Sequence, residues 1–380
     1  MAANPAVPVW DVFCKVVDNF GDAGVCWRIA RLLAQEQGLA VRLWIDRPAT
    51  LQALHPGVVP DAPVQQLDGV TVHDWSRLSP EPAATAVVVE AFGCGLPDAY
   101  VAAMAARAKP PLWIVLDYLS AESWVDSHHG LASPHPSLGL PRWYFFPGFT
   151  SATGGLPREH DLLQRRDAFG DAQRAVFWTA LGFERPAQDA LTLSLFAYPD
   201  APVAEWVNAL AADPRPTVLA VPAGTALDAV RAVPGAVDGP VWRRGALEVR
   251  QIPFLPQARY DELLWACDFN FVRGEDSFVR AQWAGRPLVW QPYRQQDGVH
   301  LRKLRAFLDR YGAGLPESAR TAIVGFSEAW SAGQGVASLW PDLRAESEVL
   351  AGHARLWAAE LARLGEISAE LVDFARNKVK

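Results

Sequence analysis

The chain has little cysteine and no cysteine pair. Its four cysteines, Cys14, Cys26, Cys94 and Cys267, are scattered over 380 residues and form no C-x-x-C. That excludes a zinc knuckle and a thioredoxin-type centre, and leaves free or buried thiols of a reducing compartment. No apolar run reaches the roughly 18 residues that a membrane span needs. The opening residues, MAANPAVPVW, lack a basic stretch followed by a long apolar one, so no secretory leader is expected. Positive charge is short as well. The 35 Lys and Arg against 42 Asp and Glu give a formal net charge of −7, which leaves no basic footprint for a phosphate backbone. Asp-x-Asp and H-E-x-x-H are absent, so no metal and no other cofactor is expected. Together these absences describe a cytoplasmic protein with neither nucleic acid nor membrane as a partner.

What is present is enough apolar residue for two cores. Half of the residues are hydrophobic, and the length suits two domains rather than one. Most of the sixteen tryptophans belong in those cores. Short β-rich runs alternate with helical patterns from the start: VWDVFCKVV at 9–17, AVRLWI at 40–45, AVVVE at 86–90 and PLWIVL at 111–116, with helices at 25–37 and 97–107. Such alternation predicts a parallel sheet covered on both faces. A Pro-, Gly-, Ser- and His-rich stretch over 127–157 interrupts it, with RWYFF at 142–146 as a late strand. The rhythm then restarts with strands at 191–196, 217–221, 247–252, 269–272 and 288–291. Leu350, Trp357, Leu361, Leu364, Ile367 and Leu371 recur at helical steps in the tail. The expected organisation is a first Rossmann-like lobe over 1–157, a second over 158–340, and a helical region over 341–380 that packs back across both. The fold class is α/β, with two doubly wound lobes facing a central cleft bounded by the carboxyl ends of their sheets.

Fold alone does not give function, so the loops decide. DNFGDAG, Asp18 to Gly24, joins the first strand to the first helix. Gly21 and Gly24 permit a tight turn and a close approach of backbone to ligand, and the helix N-terminus points the same way. The loop lacks G-x-G-x-x-G and the Walker lysine and instead carries two carboxylates, Asp18 and Asp22. Either could cap the helix; two in one glycine loop also suit a base or a cation-binding role. In the second lobe, FNFVRGEDSFVRAQ at 269–282 ends a strand, turns at Gly274 and opens a helix. Arg273, Ser277 and the helix N–H groups can hold a diphosphate. Glu275 and Asp276 can accept hydrogen bonds from ribose or sugar hydroxyls, or can simply favour the helix N-terminus. Phe254 and Gln257 follow another strand, where a ring can stack on a base and an amide can read its edge. Tyr198 holds the analogous position after the strand at 191–196. A nucleotide-diphosphate sugar is the ligand these residues suit.

DNFGDAG, RGEDSFVRAQ at 273–282 and the following WAGRPLVWQ at 283–291 resemble the bacterial elongation factor P maturation arginine rhamnosyltransferases, the EarP family. The resemblance runs from Trp10 into the C-terminal helices. It implies a GT-B fold and a metal-independent enzyme that transfers L-rhamnose from dTDP-β-L-rhamnose to one arginine of elongation factor P, with inversion. It also implies roles. Asp22 becomes the base, with Asp18 and Glu275 the other catalytic acids. Tyr198, Phe254, Gln257, Arg273, Gly274, Asp276 and Ser277 become donor contacts, joined by Phe20 and Gly21 of the first loop. Ala23 departs from the family, where a bulkier aliphatic residue is expected. The alternatives are a GT-B transferase or sugar-nucleotide epimerase acting on a small molecule, and a non-catalytic factor that binds elongation factor P.

Overall fold

The computed structural model describes residues 9–18, 20–237 and 239–378. The opening residues that bear on a leader, and Asn19 of the glycine loop, lie outside them. The described chain divides into two compact units, Met1–His160 with Leu361–Lys380, and Asp161–Glu360. The expected boundary at 157 falls three residues later, and the expected tail is shared: 341–360 belongs to the second unit and the remainder to the first.

The first unit holds an eight-stranded sheet: β1 (Val9–Cys14), β2 (Ala40–Ile45), β3 (Val64–Leu67), β4 (Val70–Asp74), β5 (Val87–Ala91), β6 (Leu112–Leu116), β7 (Ala132–Pro134) and β8 (Pro141–Phe145). Their order is β3-β4-β2-β1-β5-β6-β8-β7. The inner strands pair in parallel, and only the short β3 and β7 run antiparallel to their neighbours. β5 and β6 are buried along their whole length, as VVVEA and LWIVL require when helices cover both faces. The buried carboxylate of Asp11 is satisfied. Asp11 on β1 takes a bidentate bond from Arg42 and further bonds from the Trp44 indole, the Thr85 hydroxyl and the Tyr100 phenol.

The second unit repeats the plan with six strands: β9 (Leu191–Leu195), β10 (Thr217–Pro222), β11 (Val241–Arg244), β12 (Leu247–Ile252), β13 (Phe269–Arg273) and β14 (Leu288–Gln291). Their order is β11-β12-β10-β9-β13-β14, parallel apart from the β11 edge. Trp178, Trp206, Trp330 and Trp340 are fully buried here, and Trp27 in the first unit. In both sheets the chain reverses its direction of growth once, between β1 and β5 and between β9 and β13. Open α/β sheets bind ligands beyond the carboxyl ends of the strands at such a reversal.

The tail's last part is built into the first unit. Leu156 forms a parallel bridge with Glu366, Arg158 donates to the Ala362 carbonyl, and Phe374 packs against His129, Trp143 and Phe145. The closest approach is at Gly155, whose φ is +66° and where a Cβ would lie 1.8 Å from the Gly365 carbonyl oxygen. Gly155→Ala therefore combines a left-handed backbone penalty of about 1–2 kcal/mol with overpacking of about 1–3 kcal/mol. A thermal melt of that variant should show a clear loss of stability, and an unchanged melting temperature would mean that the tail is not anchored there.

Candidate active site

The first helix begins earlier than its sequence pattern suggests. It runs Gly21–Gln35 with Phe20 at the N-cap, so Gly21, Asp22 and Gly24 form its first turn rather than a loop. Asp22 explains the early start. Its Oδ2 accepts the backbone N–H groups of Val17 and Asp18, both at 2.8 Å, which ties the segment after β1 onto the helix. Asp22 is thus a cap of an unusual kind, serving N–H groups that precede the helix. Its Oδ1 accepts the Tyr118 hydroxyl at 3.1 Å, from the segment that follows β6. The carboxyl is 1% exposed, and burial raises its pKa above the ordinary aspartate value against the lowering effect of those three donors. Asp18 is buried beside it and its charge adds a smaller upward push. Phe20 and Gly21 are half-buried.

Tyr118 was not legible as a site residue. It is stacked on Phe92, with ring centroids 4.2 Å apart and planes within 10°. Phe92 follows β5 with φ +58°, a conformation that a bulky side chain seldom adopts. β1 and β5 are the strands between which the sheet order reverses, so Asp22 and Phe92 lie at the switch point. The thiols of Cys14 and Cys26 are buried; the hydrogen bond with Cys26 and burial raise the pKa of Cys14, and burial raises that of Cys26.

The second unit's residues gather at the equivalent edge. Arg273, 5% exposed at the end of β13, packs against two rings, its guanidinium carbon 4.4 Å from the Phe196 centroid and 4.3 Å from that of Tyr198. Tyr198 is fixed by its own N–H, which donates to Gln291 Oε1 at 2.9 Å, and Gln291 Nε2 donates to Asp200. Gln291, Asp200 and Phe196 are further residues the sequence did not single out. Gly274 has φ +61° and makes the turn into the helix Asp276–Ala284, which Glu275 precedes as its half-buried N-cap residue. Asp276 Oδ2 accepts from Arg280 at 2.9 Å and from Gln257 Nε2 at 3.0 Å, while its buried Oδ1 has no hydrogen-bond partner among the described residues. Arg280 also pairs with Asp261.

The Gln257 amide nitrogen donates to Asp276. The Ser277 hydroxyl bonds back to Arg273, accepting its N–H at 3.1 Å and donating to its carbonyl. Both side chains thereby brace the strand-to-helix turn. Phe254 is half-buried on the segment leading into Gln257. Among the described residues no group of His, Cys, Asp and Glu is arranged to hold a metal ion, and no helix is long and apolar enough to cross a membrane.

Two doubly wound α/β units, each with charged and aromatic residues at the carboxyl end of its switch point, define a glycosyltransferase of the GT-B class. The chain belongs to the EarP family. A family model described as Elongation-Factor P (EF-P) rhamnosyltransferase EarP matches residues 10–376. A protein-arginine rhamnosyltransferase of Pseudomonas putida is 47% identical over 97% of this chain and 99% of its own length. That of Pseudomonas aeruginosa is also 47% identical, over 96% of this chain and 98% of its own. The chain is also similar to a solved structure concerned with EarP-mediated arginine glycosylation of translation elongation factor EF-P, with a TM-score of 0.70 and 36% identity over 97% of this chain and 99% of that one.

Proposed function

We propose that this protein transfers L-rhamnose from dTDP-β-L-rhamnose to an arginine of elongation factor P in the cytoplasm, with inversion and without a metal. The observation that carries the reading is the family match over 10–376, supported by relatives named protein-arginine rhamnosyltransferase at 47% identity along almost their whole length. Similarity of that extent favours a protein acceptor over a small molecule, and a transferase over a factor that only binds.

The chemistry fits the residues. A guanidinium has a pKa above about 12 and delocalised lone pairs, so it needs a carboxylate to orient one nitrogen and take its proton. Asp22 supplies that base, and its raised pKa makes it a better proton acceptor than an ordinary aspartate. The nitrogen attacks the anomeric carbon as the bond to the diphosphate breaks. The proton passes to Asp22, dTDP departs, and one displacement inverts the centre. The transition state resembles an oxocarbenium ion, as in glycoside hydrolysis. Arg273 and the N–H groups at the start of the helix Asp276–Ala284 stabilise charge growing on the leaving group, and Asp276 Oδ1 is an unspent acceptor for a donor hydroxyl. Glu275 and Asp18 are further acids for holding the reactants, and the Phe254 ring takes the base.

Intact mass of elongation factor P, after incubation with donor and this protein, is the direct test. One deoxyhexosyl increment on an arginine is expected, and no increment would overturn the reading. Excess EDTA should leave the rate unchanged, because a guanidinium and helix N–H groups carry the leaving-group charge. Loss of turnover on chelation, restored by magnesium or manganese, would refute the metal-independent mechanism.

A further inference from the structure

We infer that Tyr118 is a positioning residue for the transfer reaction, holding the Asp22 carboxylate through its phenol while Phe92 braces its ring. The inference rests on the function proposed above. Three features of the first unit carry it. Asp22 has two oxygens in different surroundings: Oδ2 is saturated by the N–H groups of Val17 and Asp18, while Oδ1 takes the Tyr118 hydroxyl at 3.1 Å. Only Oδ1 is free of backbone duty, so the group that orients Oδ1 sets the direction in which the base accepts a proton. Tyr118 lies 96 positions away in sequence, on a separate strand end, and so reports the register of β6 against the first helix.

The third feature is the platform. Phe92 and Tyr118 stack face to face at 4.2 Å, and both are half-buried. Phe92 adopts φ +58°, a strained backbone for a non-glycine residue. Glycine would remove the strain and lose the ring, and Gly93 beside it already shares the left-handed conformation. Strain of this kind survives where the surroundings over-determine it, and the ring it delivers supports the residue that touches the base.

Asp18 on its own segment raises the pKa of the Asp22 carboxyl, and the Tyr118 hydroxyl lowers it. The Cys14 and Cys26 thiols are held neutral, with Asp46 acting on Cys14. Removing the phenolic hydroxyl therefore leaves burial and Asp18 less opposed, and the carboxyl must hold its proton to higher pH. Since the base works only when ionised, the acid limb of the rate profile must move upward.

The test compares Tyr118→Phe and Phe92→Gly with the wild type, in kcat against pH, in donor affinity, and in carbon-13 NMR titration of carboxyl-labelled aspartate. Tyr118→Phe should lower kcat about ten- to hundredfold, the range of a hydrogen bond to a charged group. It should move the acid limb to higher pH and leave donor affinity unchanged. Phe92→Gly should act in the same direction through a tyrosine that is no longer braced, and it keeps the inference falsifiable if Tyr118→Phe does not fold. Tyr118→Phe with a wild-type kcat and acid limb would overturn the role. If the wild type itself modifies no elongation factor P, the proposed function fails, and the Asp22 titration still decides this point: an unchanged titration in Tyr118→Phe refutes it and a raised one supports it.

Discussion

Asp22→Asn should reduce turnover by about 10²–10⁴-fold, the range associated with general-base catalysis, while donor affinity stays within experimental error. Asparagine is the informative replacement because the site can keep its shape. An amide oxygen can still accept the Val17 and Asp18 N–H groups that Oδ2 now holds, and the amide nitrogen can donate to the Tyr118 oxygen. Stability should move the other way from activity. The folded pKa of Asp22 lies above its unfolded value, so the folded state binds that proton more tightly. Stability from this group is greatest below the unfolded pKa and falls as pH rises through the window up to the folded one. Above the folded pKa the full cost of a buried charge is present, and Asn escapes it. The expected result is an inactive protein whose melting temperature is equal to or higher than that of the wild type. Near-normal turnover would remove Asp22 from the role of base. A destabilised, inactive variant would instead assign it to holding the segment after β1.

Arg273→Ala should weaken binding of dTDP and of dTDP-rhamnose alike, about ten- to hundredfold, as expected for a charge-assisted hydrogen bond to a diphosphate. The two rings packed against its guanidinium, Phe196 and Tyr198, restrict the direction of that charge in advance. The rival view makes Arg273 an ion-pair partner of the neighbouring acids. Asp276 Oδ2 is engaged by Arg280 and Gln257. Calorimetric titration with dTDP, alongside a melting curve, separates the two. A variant that melts early yet binds dTDP with wild-type affinity would refute the diphosphate clamp. Asp22→Asn provides the contrast, since it should bind dTDP normally.

The strands were legible where burial leaves one solution. LTLSL and LWIVL are apolar or small throughout, and a run of that length between helical patterns can only be a central parallel strand. Edge strands were not: VQQL at β3 and VWRR at β11 are polar, and only pairing with β4 and β12 makes them strands. The site shows the same division. Arg273, Gly274 and Asp276 could be placed because a strand, a turn and a helix follow one another within a few residues. Tyr118 could not, because its contact with Asp22 crosses from one strand end to another. The bonds that Gln257 and Ser277 make to Asp276 and Arg273 were not legible, since a polar side chain gives no sign in the sequence of which protein group it meets. The start of the first helix was missed for a related reason. Two glycines suggest a turn, and it is the Asp22 carboxylate, reaching back to Val17 and Asp18, that makes a helix of them.

The last helix, Ile367–Lys378, belongs to the unit that the chain begins with. During synthesis the first helix and β8 leave the ribosome long before the last helix that packs on them. Until Ile367, Leu371 and Val372 emerge, the apolar surface they bury stays open to water. The second unit, contiguous from Asp161 to Glu360, has every residue it needs before that moment. The half of the protein that is made first is therefore finished last, and a ribosome that stops short of the final helix releases a chain with a complete second unit and an unsealed first one.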